Sequence, residues 1–222
     1  MRRKEELATD EIHHIFSRSI ANYIIFNNSS EYERMLNTIR FYQVKVQLAS
    51  FSIFARSPYV QKVGLLNAIE SIGKNAENMV QIIAYCIMPT HIHFILKQLQ
   101  DNGISIFMGN VLNSYSRYFN TFHGRKGPLW ESKFQNVRVG NDEQLLHLTR
   151  YIHLNPVTAF LVDKPEEWNF SSYLEYIGKQ TESRLCRFKD ILEIDPKIYR
   201  GFVRERANYQ RELAKIKKLI IE

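Results

Sequence analysis

Apolar residues change their period several times along this 222-residue chain, and each change marks an element. Ile12 to Ile20 reads as a strand, rich in Ile, Phe, His and Ser, and Tyr23 to Phe26 is a second apolar run with strand character. Asn27, Asn28, Ser29 and Ser30 interrupt the pattern. Ser30 stands three residues before Glu33, the capping-box spacing, and Tyr32, Met35, Leu36 and Ile39 recur at helical intervals, so a helix is expected from about Glu31 to Tyr42. Between 45 and 76 the pattern accommodates a strand (Val44 to Phe54) and a helix (Tyr59 to Ile72), with Gly73 as its stop. Met79 to Met88 and His91 to Leu96 read as one strand on each side of Pro89 and Thr90, or as one interrupted strand. Ile104, Phe107, Met108, Val111, Tyr115, Tyr118, Phe119 and Phe122 then fall at three- and four-residue spacings, a helix that ends at Gly124. Phe134 to Val139 is a strand broken by Gly140. Asn141 can cap a helix that carries Asp142 and Glu143 at its positive end and that Pro156 should stop by about Asn155. A short helix (Ser172 to Ile177) and, after Pro196, a charged helical tail to Glu222 complete the chain. Strands and helices interleave, which favours a single α+β domain with a tail.

Composition narrows this little. The chain carries 30 Lys and Arg against 23 Asp and Glu, a formal +7, and 45% of its residues are hydrophobic, ample for a core. Residues 197–222 hold +5 of that charge, so the rest of the chain is nearly balanced. The longest apolar run, Ile82 to Met88, is far short of a bilayer span, and the N-terminus lacks the apolar segment of a secretory signal; a cytoplasmic protein with no membrane partner is expected. Cys86 and Cys186 stand a hundred positions apart and make neither a disulfide framework nor a thiolate metal knuckle, so any metal must be held by imidazole and oxygen.

His91-Ile92-His93 is the sharpest local feature. Alternate side chains of a strand share a face, so both imidazoles project together, as a two-pronged metal ligand or as two ordinary sheet-edge histidines. On the helix ending at Pro156, about 100° per residue places Gln144, Tyr151 and Asn155 within roughly 40° of one another. If that face lies over the histidine strand, Asn155 offers a hard oxygen to a metal and Tyr151 sets a phenol beside it. Arg125, Lys126, Lys133 and Arg138 surround Trp130 and Phe134, a pattern suited to phosphate contacts with base stacking, or to solvated charges near a packed Trp. His147 lies one turn before Tyr151. His153 faces away from it. His13 and His14 face opposite sides of the first strand, and neither has an evident partner.

Five blocks resemble, in order, the IS200-like single-tyrosine transposases, including the relatives associated with repetitive extragenic palindromes. They are Ala84 to Leu96 with its His-hydrophobe-His core, Ser116-Arg117-Tyr118-Phe119-Asn120, Gly127 to Phe134, Arg150 to Val157, and Trp168-Asn169-Phe170-Ser171-Ser172-Tyr173. The likeness covers about residues 80–178 and, more weakly, 12–42. Thr90 stands where the family usually has Asn, the loop Arg18-Ser19-Ile20-Ala21-Asn22 lacks the family's glycine, 43–78 is longer than the usual connection, and the tail after Gly178 is not covered.

The resemblance implies an α/β sandwich of the ferredoxin-like or RRM-like kind, an antiparallel sheet carrying the histidines with helices packed on it. It implies a catalytic domain over 1–180 and a basic helical extension over 181–222. It also implies that Tyr151 attacks a phosphodiester of single-stranded DNA bearing hairpin or palindromic ends, leaving a 5′-phosphotyrosine and a free 3′-hydroxyl. His91, His93 and Asn155 would hold Mg²⁺ or Mn²⁺. Relatives often act as dimers; the sequence selects neither dimer nor monomer. Two other readings stand beside this one. The first is a non-catalytic or domesticated hairpin-binding protein on the same scaffold, and the second a zinc hydrolase, which the lack of a nearby carboxylate base disfavours. The tail either clamps DNA phosphates or docks on the domain.

Overall fold

The computed structural model describes residues 5–45, 49–74, 76–179 and 184–207. Strands β1 (Ile12–Arg18), β2 (Val80–Met88), β3 (His91–Gln98) and β4 (Gln135–Arg138) form an antiparallel sheet in the order β2-β3-β1-β4. β2 and β3 make a hairpin closed by Pro89 and Thr90, with Met88 opposite His91. β2 is buried at all nine positions, which is why it reads as an unbroken apolar run and not as an alternation.

The helices include α1 (Ser29–Tyr42), α2 (Phe51–Phe54), α3 (Pro58–Val63), α4 (Leu65–Gly73), α5 (Gly103–Phe122), α6 (Asp142–Thr158) and α7 (Tyr173–Tyr176). Strand parity assigns them to faces. Phe94 of β3 meets Phe107 of α5, ring centroids 6.2 Å apart, whereas His93, one residue earlier, meets Tyr151 of α6 at 6.0 Å. Successive β3 side chains point to opposite faces, so α5 and α6 cover opposite sides of the sheet. α1 packs against α5, and the Tyr115 hydroxyl donates to the Ile25 carbonyl at 2.6 Å. The expected mixed α+β architecture, an antiparallel sheet with helices packed on it, is the one observed.

Four local expectations are corrected. The run Tyr23 to Phe26 is no strand: its amides hang from the hairpin turn, Ile25 and Phe26 donating to the Pro89 carbonyl at 2.9 and 3.2 Å. α1 is capped by Asn28 and not Ser30. The Asn28 side chain accepts from the Glu31 amide, and the buried Glu31 carboxylate accepts from the Asn27 amide at 2.6 Å, so the reciprocal cap lies two residues earlier than Ser30 and Glu33 suggest. Between 43 and 78, no strand is seen among the described residues beyond a bridge from Val44 to Asn78; three short helices stand there instead. Ser57 ahead of Pro58 caps α3, and Gly64 (φ 84°) divides α3 from α4, so turn chemistry outweighs the apolar alternation. Finally, α6 runs through Pro156 to Thr158. The ring costs the bond to the Ile152 carbonyl, but buried Leu154 and Val157 hold the last turn in place, and the Ala159 amide returns to the Asn155 carbonyl at 2.9 Å.

Residues 184–207 join this core. Leu185, Cys186, Phe188, Leu192, Tyr199 and Val203 are buried, and 196–207 is helical. A chain of hydrogen bonds ties it to α6. Ser172 Oγ lies 2.8 Å from His153 Nε2 and the Tyr199 oxygen 2.7 Å from His153 Nδ1, while the Tyr199 hydroxyl donates to Thr149 Oγ1 (2.9 Å) and the Thr149 hydroxyl to the Leu146 carbonyl (2.7 Å). Arg200 and Arg204 both reach Glu166. The described part of the tail therefore docks on the domain. Tyr209 and the rest of the charged stretch lie outside the described residues.

Burial drives the His153 pKa down to about 3, so the imidazole is neutral in the fold and titrates near 6.5 when the chain unfolds. The unfolded chain then binds more protons between those values, and stability falls as pH drops below 6.5. At pH 5 the loss from His153 should be about 2 kcal/mol. Urea unfolding at pH 7 and pH 5 checks this; equal stability at the two would mean that the buried ring is not held neutral.

Candidate active site

The site lies on the α6 side of the sheet. β1 and β3 pair with Phe16 opposite His93 and Arg18 opposite His91, so His14, Phe16 and Arg18 share a face with His91 and His93. The two β3 rings stand nearly perpendicular, centroids 5.0 Å apart. Each is held through the same ring atom: Thr90 Oγ1 lies 2.9 Å from His91 Nδ1, and His14 Nε2 lies 3.0 Å from His93 Nδ1. The His14 and His93 planes differ by only 18° with centres 5.2 Å apart, so the rings meet edge to edge and not face to face. All three are neutral at physiological pH. Burial lowers His14 and His91 to about 4, with Arg18 adding to the effect at His91, and holds His93 well below its usual value.

α6 lays Tyr151 over these rings. Its ring stands edge-on to His93 at 6.0 Å and to His14 at 6.3 Å, while the residue remains 43% exposed. Partial burial raises the phenol pKa and the Arg18 charge opposes the rise. Asn155 follows one turn later, half-buried, with its side-chain nitrogen buried and, among the described residues, without a hydrogen-bond partner. A buried amide without a partner suits a divalent ion held together with two neutral imidazoles, because the amide can present its oxygen and each histidine anchored at Nδ1 has Nε2 to offer. Among the described residues no group of three or more His, Cys, Asp or Glu could hold a metal.

The other candidates lie apart. Arg150 donates to His147 Nδ1 at 2.7 Å and the His147 ring packs on Phe202, so His147 is engaged with the C-terminal segment. Arg125 spends its guanidinium on the turn, donating to Asn120 Oδ1 (3.0 Å) and the Pro128 carbonyl (2.8 Å). Arg138, on the edge strand β4, pairs with Glu11 at 2.8 Å. Lys126 and Lys133 are exposed on the segment between α5 and β4. A larger basic concavity, of about 580 Å³, lies between α1, α2 and α5; it is lined by Arg34, Arg56, Arg117, Asn110, Asn113 and Tyr118 and by no acidic residue. Its arginines are scattered over three segments and form no pattern in the sequence. His14 was also hidden: strand parity shows which side it faces, not that His93 stands there.

Residues 55–155 match the family model described as IS200-like transposase. Over 103 residues the chain is 24% identical to a Haemophilus influenzae protein named for the REP-associated tyrosine transposases; the aligned part is 42% of this chain and spans 58% of that relative's length. A solved structure of a REP-associated tyrosine transposase bound to a REP hairpin has the same fold, with a TM-score of 0.52 at 14% identity, over 88% of this chain and 97% of that one. The matched stretch does not include β1, whose pairing with β3 brings His14 to the site. No helix among the described residues is long and apolar enough to cross a membrane. Over residues 55–155 the chain is therefore similar to the IS200-like transposases.

Proposed function

We propose that this chain cleaves and rejoins single-stranded DNA next to a hairpin, using Tyr151 as nucleophile within an IS200-like catalytic unit over residues 1–180, with 181–222 as a basic extension. The observation that carries the reading is the Tyr151 ring standing edge-on to His93 at 6.0 Å, one helical turn from the orphaned Asn155 amide. In the reaction the Tyr151 oxygen forms a bond to phosphorus and the bond to the 3′-oxygen breaks. The 3′-oxygen leaves with a proton as a hydroxyl, and the 5′-phosphate stays on the tyrosine. The ester conserves the bond energy, so the 3′-hydroxyl can reverse the step. His91, His93 and Asn155 would hold Mg²⁺ or Mn²⁺, which when bound neutralises charge on the phosphoryl oxygens. Arg18 places a fixed positive charge near the phenol and favours its deprotonated form. Arg34, Arg56 and Arg117 in the basic concavity, with exposed Lys126 and Lys133, suit the backbone phosphates.

The REP-hairpin-bound neighbour supports a hairpin as the DNA partner. Incubating the protein with Mn²⁺ and a hairpin oligonucleotide from its own genomic surroundings should yield a protein–DNA adduct that survives denaturing electrophoresis. Binding with no adduct at any metal concentration would select the second reading, a DNA-binding protein that has lost the chemistry.

A further inference from the structure

We infer that His14 and Thr90 are positioning residues that set the ring orientation and tautomer of the two metal-facing histidines, each acting through Nδ1. The inference rests on the metal reading proposed above and adds two residues that the family match leaves without a role; His14 lies outside the matched stretch altogether.

A neutral imidazole has one N–H and one lone pair. A cation takes the lone pair, so the proton must sit on the other nitrogen. His93 offers Nδ1 to His14 at 3.0 Å, and the pair has two arrangements. If His14 Nε2–H donates, His93 is protonated at Nε2 and presents no lone pair outward. If His93 Nδ1–H donates and His14 Nε2 accepts, Nε2 of His93 is bare. Only the second arrangement binds a metal, and a partner that is itself an imidazole makes the choice binary. At His91 the partner is the Thr90 hydroxyl, 2.9 Å from Nδ1. A hydroxyl rotates to accept as readily as to donate, so the Thr at this turn serves the same purpose.

The fold holds His14 to this task. β1–β3 pairing places it diagonally from His93 on one sheet face, and its ring is flanked by Phe16 at 5.1 Å and by the Tyr151 edge at 6.3 Å. One imidazole thus touches both a metal-facing ligand and the nucleophile's ring, and losing its nitrogen should loosen the ligand without emptying the space.

The test is Mn²⁺ titration of the full chain, followed by calorimetry and by the electron paramagnetic resonance of free Mn²⁺, on the wild type, His14→Phe, His14→Gln, Thr90→Val and His91→Ala. His14→Phe keeps a ring of similar bulk without the acceptor and should weaken Mn²⁺ binding roughly 10- to 100-fold. His14→Gln, whose amide oxygen can accept, should recover part of that loss. Thr90→Val should weaken binding in the same direction. In ¹⁵N spectra of the metal-free protein, His93 should populate both tautomers in His14→Phe, a change that packing alone would not produce. Should His14→Phe fail to fold, Thr90→Val and the His91 tautomer carry the same test at the other ligand. If His14→Phe and Thr90→Val bind Mn²⁺ like the wild type while His91→Ala does not, the positioning role is overturned and the metal reading stands. If the wild type and His91→Ala behave alike, the metal reading falls and takes this inference with it.

Discussion

Tyr151→Phe should abolish the covalent protein–DNA adduct while leaving hairpin binding and Mn²⁺ binding within about twofold of wild type. The substitution removes one oxygen and keeps the ring that stands edge-on to His93 and His14, so the site should keep its shape. If Tyr151 is the nucleophile, its loss costs at least several orders of magnitude in rate, far more than any change in packing here could. Several other tyrosines are poor substitutes. Tyr115, Tyr173, Tyr176 and Tyr199 are buried, and burial raises each phenol's pKa. Tyr23 and Tyr59 are exposed, but Tyr23 packs on Phe119, under the opposite sheet face from the histidines, and Tyr59 sits on α3 of the inserted stretch. Denaturing electrophoresis with labelled DNA reads the adduct, and fluorescence anisotropy reads binding. An undiminished adduct in Tyr151→Phe would move the nucleophile elsewhere and undo the assignment.

Tyr199→Ala is expected to destabilise the whole protein by about 3–5 kcal/mol, the usual cost of emptying a buried aromatic site. The ring is 2% exposed, against Tyr176 at 5.0 Å and His153 at 5.8 Å. Its hydroxyl is the middle link between His153 and Thr149, so truncation also strands a buried donor and a buried acceptor. Tyr199→Phe, which keeps the ring, should cost about 1–3 kcal/mol. Urea unfolding followed by circular dichroism measures both. A loss below about 1 kcal/mol for Tyr199→Ala would show that residues 196–207 lean on the domain without completing its core.

These two residues illustrate how differently the chain discloses its parts. Tyr151 stands out through the resemblance carried by Arg150 to Val157, and its spacing from Asn155 on one helix and that of His91 from His93 on one strand are relations within a single element. Tyr199 reads as an ordinary apolar position on a charged helix. Its partners, His153 and Thr149, lie some fifty positions earlier, and no local period links them. The same limit hid the cap of α1, where Asn28 and Ser30 both fit the composition and only the buried Glu31 carboxylate, reaching back to the Asn27 amide, decides between them.

From the chain pattern came several elements and their parity: strand character on each side of Pro89 and Thr90, the long α5, the capped start of α6, and the common face of His91 and His93. Those follow from side-chain geometry repeated every 2 or 3.6 residues, which any stretch of chain displays without reference to the rest. Tertiary structure alone decided what each face meets. It brought His14 of β1 to within a hydrogen bond of His93, drew Arg34 of α1, Arg117 of α5 and Arg56 of the turn after α2 to one concavity, and seated 184–207 in the core. Strand pairing and helix docking are set by the summed burial of apolar surface between elements distant in sequence, a quantity that no local pattern encodes.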